Sequence, residues 1–129
     1  MESICLACSN TLYRKYGSPK KYCDTGCQAD FLYREYIDRW KSGLENGMKG
    51  RTSISNYIRR FLFEKYNNKC ARCSWGVVNE FSGRIPLEVE HLDGVFTNNV
   101  ESNLILICPN CHSLTSTYRA LNMGRGRPR

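Results

Sequence analysis

The sequence has no apolar run approaching the roughly 18 residues that a membrane-spanning helix requires, so no membrane partner is expected. Its first twenty residues, MESICLACSNTLYRKYGSPK, have no apolar core between a basic start and a cleavage site, and no secretory signal is expected. Without export to an oxidising compartment, the eight cysteines are not expected to pair as disulfides, and a cytoplasmic location is the expectation. Histidine is scarce, at two residues, and no internal repeat is convincing. The 129 residues suffice for one domain, or for two small modules with a joining helix. Modules of about 60 residues have thin cores and usually need a metal or disulfides. Metal is the better reading.

What the sequence does have is basic charge, unevenly placed. Nineteen Lys and Arg stand against twelve Asp and Glu, a formal net charge of +7. Residues 1–72 carry fourteen basic and seven acidic side chains. Residues 73–118 carry only Arg84 against Glu80, Glu88, Glu90, Asp93 and Glu101, and Arg119, Arg125, Arg127 and Arg129 follow. A basic face can neutralise phosphates and give salt-dependent, sequence-independent affinity. The acidic island is either a solvated loop or the holder of a cation where a polyanion docks.

The cysteines sort into two sets. Cys5-x2-Cys8 is followed by Cys23-x3-Cys27, and Cys70-x2-Cys73 by Cys108-x2-Cys111. A short turn between two cysteines aims both sulfurs at one ion, and a distant second pair completes a tetrahedral four-thiolate zinc shell. With every ligand supplied by protein, both sites are expected to be closed and structural, so that binding energy becomes folding energy. Four thiolates and one Zn²⁺ sum to −2, which lowers the net charge from +7 to about +3 once two sites fill.

Residues 5–27 are expected to form a zinc knuckle with a basic strand-like insert, Lys20-Lys21-Tyr22. From Gln28 to about Ser42, Phe31, Leu32, Tyr36, Ile37 and Trp40 recur at helical spacing. Gly43 to Gly50 is polar and glycine-rich and reads as a linker. Ser53 is the expected cap of a second amphipathic helix carrying Ile54, Tyr57, Ile58, Phe61, Leu62 and Tyr66, ending near Asn67-Asn68. Arg59 and Arg60 lie off that stripe and could touch phosphate. Val77 to Glu90, with a turn at Ser82-Gly83 and the alternation Leu87, Val89, His91, suits a β-hairpin ending at His91. Leu104 to Ile107 reads as a buried strand, and the Cys108 pair as the start of a helix through about Leu121. Asn98, Asn99 and Asn110 read as turn or helix-start residues.

Both histidines fall in the acidic island, within Glu88-Val89-Glu90-His91-Leu92-Asp93-Gly94, Glu101-Ser102-Asn103-Leu104 and Cys108-Pro109-Asn110-Cys111-His112. From residue 70 to 123 the sequence closely resembles the HNH nucleases, the ββα-metal group that includes the colicin DNases. In particular it is similar to the small bacteriophage-type HNH endonucleases with four zinc cysteines. The run Cys108–Tyr118, CPNCHSLTSTY, is the most specific part, and Cys5 to Cys27 resembles a zinc-finger element found ahead of such domains. The resemblance implies a small zinc-stabilised α+β fold: a ββα-metal nuclease domain preceded by helices and an N-terminal four-cysteine zinc finger. The divisions it suggests are 1–42 for the finger and following helix, 43–52 for a linker, 53–123 for the nuclease domain with its leading helix, and 124–129 for a basic tail.

Carried onto this sequence, the resemblance implies His91 as the general base and Glu90 as a ligand of a catalytic divalent cation. It implies Asn103 as the residue fixing the loop behind His91, and His112 as the residue completing the cation site. The chemistry agrees: phosphodiester hydrolysis needs a base near pH 7, which imidazole supplies with an unperturbed pKa of about 6.5. It also needs a cation on the scissile phosphate, and a site with few protein ligands suits Mg²⁺ or Mn²⁺. Glu88 is as well placed for solvent as for the site. The tail, Gly124-Arg125-Gly126-Arg127-Pro128-Arg129, reads either as a disordered basic tail that holds phosphates non-specifically or, by resemblance, as an AT-hook core; both make Arg125 and Arg127 candidate DNA contacts beside Arg59 and Arg60. The expected activity is metal-dependent hydrolysis of DNA, by nicking or double-strand cleavage, in a protein of phage origin working in the host cytoplasm. DNA is the expected partner, with a second copy of the chain or a phage protein as a further one. The competing readings are a non-catalytic zinc-finger DNA-binding protein, and a nuclease component of a phage packaging or recombination assembly.

Overall fold

The Cys5-x2-Cys8 spacing needs a tight turn, and in the computed structural model, which describes residues 1–124, two short strands supply it. Strands β1 (Glu2–Ile4) and β2 (Thr11–Tyr13) pair antiparallel, with Ser3 opposite Leu12. Between them Cys5 N donates to Asn10 O and Ser9 N to Cys5 O, each at 2.9 Å, and Ser9 takes a φ of 66° to close the turn. The expected strand at Lys20–Tyr22 does not form. Its carbonyls serve the knuckle instead: Ser3 Oγ donates to Lys20 O at 2.6 Å and Leu6 N to Lys21 O at 2.9 Å.

Helix α1 (Thr25–Lys41) begins three residues before the periodic pattern does. Asp24 Oδ1 accepts from Cys27 N at 2.8 Å, which satisfies an orphan donor and sets a carboxylate at the positive end of the helix. Tyr36, Ile37 and Trp40 of the expected stripe are buried, and Leu32 is exposed. The chain clusters into two compact units, Met1–Arg39 and Trp40–Arg129, so the first unit ends inside this helix.

In the second unit the stretch read as a linker carries structure. Strand β3 (Met48–Lys49) pairs with β4 (Ser53–Ile54), around a turn in which Gly50 takes a φ of 68°. Helix α2 (Asn56–Lys65) is capped by Ser55, whose side chain accepts from Tyr57 N at 3.2 Å; Ser53, the expected cap, is taken into β4 opposite Lys49. The helix stops where Asn67 and Asn68 turn left-handed, at φ 54° and 58°. Ile54, Ile58 and Leu62 recur at i, i+4 and i+8 and are fully buried, as are Leu106 and Ile107 on the strand that α2 contacts. Each such side chain contributes roughly 1.5–3 kcal/mol over leaving it exposed. The exposed Arg60–Glu64 ion pair at 3.0 Å contributes under about 1 kcal/mol, so this apolar layer outweighs it.

Two further expectations are corrected. Strand β5 (Glu88–His91) does not pair with the preceding 77–84 segment. It pairs antiparallel with β6 (Leu104–Ile107), Glu90 opposite Ile105 and His91 opposite Leu104. The Ser82-Gly83 signal makes only a local turn, closed by an isolated bridge between Asn79 and Arg84. Burial decides between the two partners, because Leu104, Leu106 and Ile107 need covering and the exposed Val77, Val78 and Phe81 offer β5 no core. Helix α3 (Pro109–Ser113) is five residues long and does not reach Leu121. Leu114 ends it by donating its N–H to Cys111 O and His112 O. Thr115 Oγ1 also donates to His112 O, at 2.9 Å, and a 3-10 turn follows at Arg119–Asn122.

Candidate active site and metal centres

The four sulfurs of Cys5, Cys8, Cys23 and Cys27 lie within 4.8 Å of one another, as do those of Cys70, Cys73, Cys108 and Cys111. Cys8 and Cys23 approach to 3.5 Å and Cys73 and Cys108 to 3.6 Å. A tetrahedron with Zn–S bonds of about 2.3 Å has S···S edges of about 3.8 Å, whereas a disulfide needs about 2.05 Å. All eight are free thiols, and both clusters fit zinc.

Their ionisation fits as well. Burial opposes ionisation of Cys5, but backbone hydrogen bonds from Cys8, Ala7 and Cys23 outweigh it and lower the thiol to about 6. Cys27 is pushed up to about 12, by burial first and then by the neighbouring sulfurs. The second cluster repeats the pattern. Burial opposes Cys70, yet backbone hydrogen bonds from Cys108, Cys73 and Arg72 lower it to about 6, while Cys111 is pushed up to about 12, first by the Cys108 sulfur and then by burial. One thiolate forms readily in each cluster and another resists; a divalent cation removes the resistance.

The second cluster is joined through the chain to a cleft. Ala71 N donates to Leu106 O at 2.8 Å, so the first cysteine turn is fastened to β6, and Cys111 directly precedes His112 in α3. The cleft, of about 990 Å³, is lined by Arg59, Glu88, Glu90, His91, His112 and Arg119, among others. Strand alternation sends Glu88 and Glu90 to one side and His91 to the other. Glu90 and His91 are both buried, at 6% and 7% exposure.

His112 stands between the two glutamates. Its Nδ1 lies 2.7 Å from Glu90 Oε2 and its Nε2 lies 3.4 Å from Glu88 Oε2. The Nδ1 atom is wholly buried and, despite that short distance, has no hydrogen bond of acceptable geometry. An imidazole nitrogen and a carboxylate oxygen converging without bonding each other are a donor set suited to a cation. The arrangement is braced: Thr117 Oγ1 donates to Glu90 Oε1 at 2.7 Å, and the Tyr118 ring meets the His112 ring edge-on at 5.1 Å.

Asn103 is buried beneath the loop between β5 and β6. Its Nδ2 donates to Asp93 Oδ1 at 2.9 Å and to Asn98 O at 2.8 Å, while its Oδ1 accepts from Asp93 N at 3.1 Å. Its backbone O accepts from Leu92 N at 2.9 Å. The Asn98 side chain, and after it the Val95 N–H, hold the Asp93 carboxyl below the usual carboxylate range. Arg59 lines the cleft, but Arg60 is paired with Glu64 along α2. Arg125 and Arg127 lie outside the described residues.

Three residues at the site were not singled out by sequence. Thr117 and Arg119 follow α3, in and just beyond the CPNCHSLTSTY run, where the motif is legible as a block but not residue by residue. Asn99, read as a turn residue, is 4% exposed, and its Oδ1 lies 2.7 Å from His91 Nε2. Neighbouring asparagines Asn98 and Asn99 look alike in sequence, and only the loop's path separates them.

Among curated proteins the chain is 41% identical over 95 residues to the H-N-H endonuclease F-TflIV of Escherichia phage T5. The matched stretch is 71% of this chain and 40% of that protein, so the chain spans about two-fifths of its relative's length. No family model and no solved structure matches. Over most of its length, then, the chain is a homologue of a phage H-N-H endonuclease, the family that the residues around His91, Asn103 and His112 resemble.

Proposed function

We propose that this chain is a metal-dependent HNH endonuclease that hydrolyses phosphodiester bonds of DNA, built on a ββα-metal unit of β5, β6 and α3. The observation that carries the reading is the convergence of Glu90 and His112 in one cleft with His91, where the buried His112 Nδ1 faces a carboxylate without a hydrogen bond. Glu90 and His112 would hold a divalent cation, Mg²⁺ or Mn²⁺ by the hard carboxylate and the few protein ligands, and that cation would stabilise charge on the phosphate and on the departing 3′ oxygen.

The chain's own residues do the rest. His91 takes a proton from the attacking water, and Asn103 holds the loop that carries it by tying Leu92, Asp93 and Asn98 together. Arg59 and Arg119, on separate elements lining the cleft, supply positive charge for the strand's phosphates. The two zinc clusters are structural. The phage homologue and the basic flanks of the sequence support DNA as the substrate.

Supercoiled plasmid incubated with the chain and Mg²⁺ or Mn²⁺ is expected to pass through nicked circles before linear molecules, because one such site cuts one strand at a time. A chelator too weak to strip the thiolate sites, or His112→Ala, is expected to abolish scission. Cleavage that persists in His112→Ala with no divalent cation defeats the reading.

The arginines separate by partner. Arg59→Ala is expected to weaken DNA binding and to reduce the salt slope of log K by about 1. Arg60→Ala, already engaged with Glu64, is expected to change it little. An unchanged salt slope for Arg59→Ala in a titration of affinity against salt would remove Arg59 from the interface.

A further inference from the structure

We infer that Asn99 is a positioning residue that holds neutral His91 in the tautomer protonated on Nε2, and that the chain ahead of the hairpin, at Trp40 and residues 46–48, holds Asn99 in turn. The catalytic consequence rests on His91 acting as the base; the tautomer does not.

The two ends of the Asn99 amide are told apart by their partners. One end lies 3.2 Å from Asn46 O and 3.1 Å from Met48 Sδ, both of which can only accept, so that end is the NH₂ group. The other end is therefore the oxygen, and it lies 2.7 Å from His91 Nε2 in a buried pair. An amide oxygen only accepts, so Nε2 carries the proton. Neutral imidazole has one N–H, which leaves Nδ1 as the bare nitrogen, the one able to take a proton from water.

Asn99 has little freedom to turn. Its backbone O accepts from Trp40 Nε1 at 2.6 Å. Gly47, at φ 75°, packs so closely that a Cβ there would come within 2.7 Å of Asn99 Cβ and 2.8 Å of Ile58 Cδ1. Its carbonyl accepts from Ser55 N at 2.8 Å, which fastens the 46–48 turn to the cap of α2. The orientation of a side chain at the end of β5 is thus set through residues far earlier in the chain. An amide suits the place: it fixes the proton as a carboxylate would, without adding a negative charge beside Glu90.

The test uses the full zinc-loaded chain with ¹⁵N-labelled histidine rings, observed by NMR near pH 8, above the ordinary imidazole range of about 6.5. His112→Ala assigns the two rings. In the wild type His91 is expected to show a protonated Nε2 and a bare Nδ1. Asn99→Leu, similar in size but with no acceptor, is expected to lose that preference, with kcat down about 100-fold and KM within about twofold. Asn99→Asp keeps the acceptor towards His91 and is expected to retain the tautomer and to recover part of kcat relative to Asn99→Leu, the remainder lost with the NH₂ donor to Asn46 O and with the added charge.

A wild-type ring protonated on Nδ1 overturns the inference whatever the activity, as does an Asn99→Leu chain unchanged in both tautomer and kcat. If Asn99→Leu fails to fold, the wild-type and Asn99→Asp spectra decide. A chain with the stated tautomer that leaves DNA intact overturns the nuclease reading and leaves this assignment standing.

Discussion

Replacing His91 by alanine is expected to lower strand scission by about 10²–10⁴-fold, the range that a positioned general base contributes, while leaving DNA affinity nearly unchanged. The split follows from where the side chain sits. His91 is 7% exposed at the end of β5 and its ring pairs with Asn99, so its loss removes a proton acceptor and little surface that could meet phosphate. Glu90 and His112 keep their own arrangement, braced by Thr117 and Tyr118. Cation binding should therefore survive in the variant, measurable as Mn²⁺ broadening of His112 resonances. The comparison is plasmid cleavage under single-turnover conditions beside filter binding. Equal cleavage by wild type and His91→Ala would assign the base elsewhere, and a parallel loss of binding and cleavage would mean that His91 holds the fold.

Stripping zinc is expected to unfold the chain. Structural zinc binds with an apparent free energy of about 10–16 kcal/mol in small peptides at neutral pH, as large as the roughly 5–15 kcal/mol that separates a whole domain from its unfolded state. The apolar layer of Ile54, Ile58, Leu62, Leu106 and Ile107 is thin, and the Cys70–Cys111 cluster ties the segment after α2 to α3. A strong thiolate-competing chelator should release two zinc equivalents per chain and collapse the near-ultraviolet circular dichroism of Trp40 and its neighbours. Cys108→Ser should do the same to the second unit with one equivalent lost. Activity goes with it, and added Mg²⁺ should not restore it, because Cys111 and His112 are adjacent in one short helix. A chain that keeps its tertiary signal with no zinc bound would show that the thiols pack as ordinary buried side chains.

The parts of this protein that were legible in sequence are those in which chemistry fixes spacing. A four-thiolate ion site is built from close cysteine pairs, each in a short turn, so the cysteines could be grouped into two sets before any fold was known. Helical stripes were legible where apolar residues recur at helical spacing, as at Ile58 and Leu62, although Ile54, expected to begin that stripe, lies in β4. Capping was displaced by two residues because Ser53 and Ser55 are chemically equivalent, and only the pairing of β4 with β3 chooses between them. The partner of β5 was illegible for a different reason. A turn signal at Ser82-Gly83 acts locally, whereas the pairing with β6 is decided by the burial of Leu104, Leu106 and Ile107 across the 92–103 loop. Asn99 was hidden because its importance depends on Asn46, Gly47 and Trp40, which no local pattern links to it. A fragment starting at residue 53 would leave out all three.

The excursion between the two halves of the second cysteine cluster has unequal parts. Its base is pinned, with Cys70 N donating to Trp75 O at 2.7 Å and Gly76 packed so closely on Asn68 O that a Cβ would fall at 2.5 Å. Its tip is not: Gly83 has open space around it, and Phe81 is 93% exposed. Doubling a flexible loop's length costs only about 0.6 kcal/mol in closure entropy. The 79–84 tip is thus a place where relatives can gain or lose residues while both cysteine pairs and the β5–β6 register stay put. Divergence in length between such proteins is most easily accommodated there, without disturbing the packing around His91, Asn99 and His112.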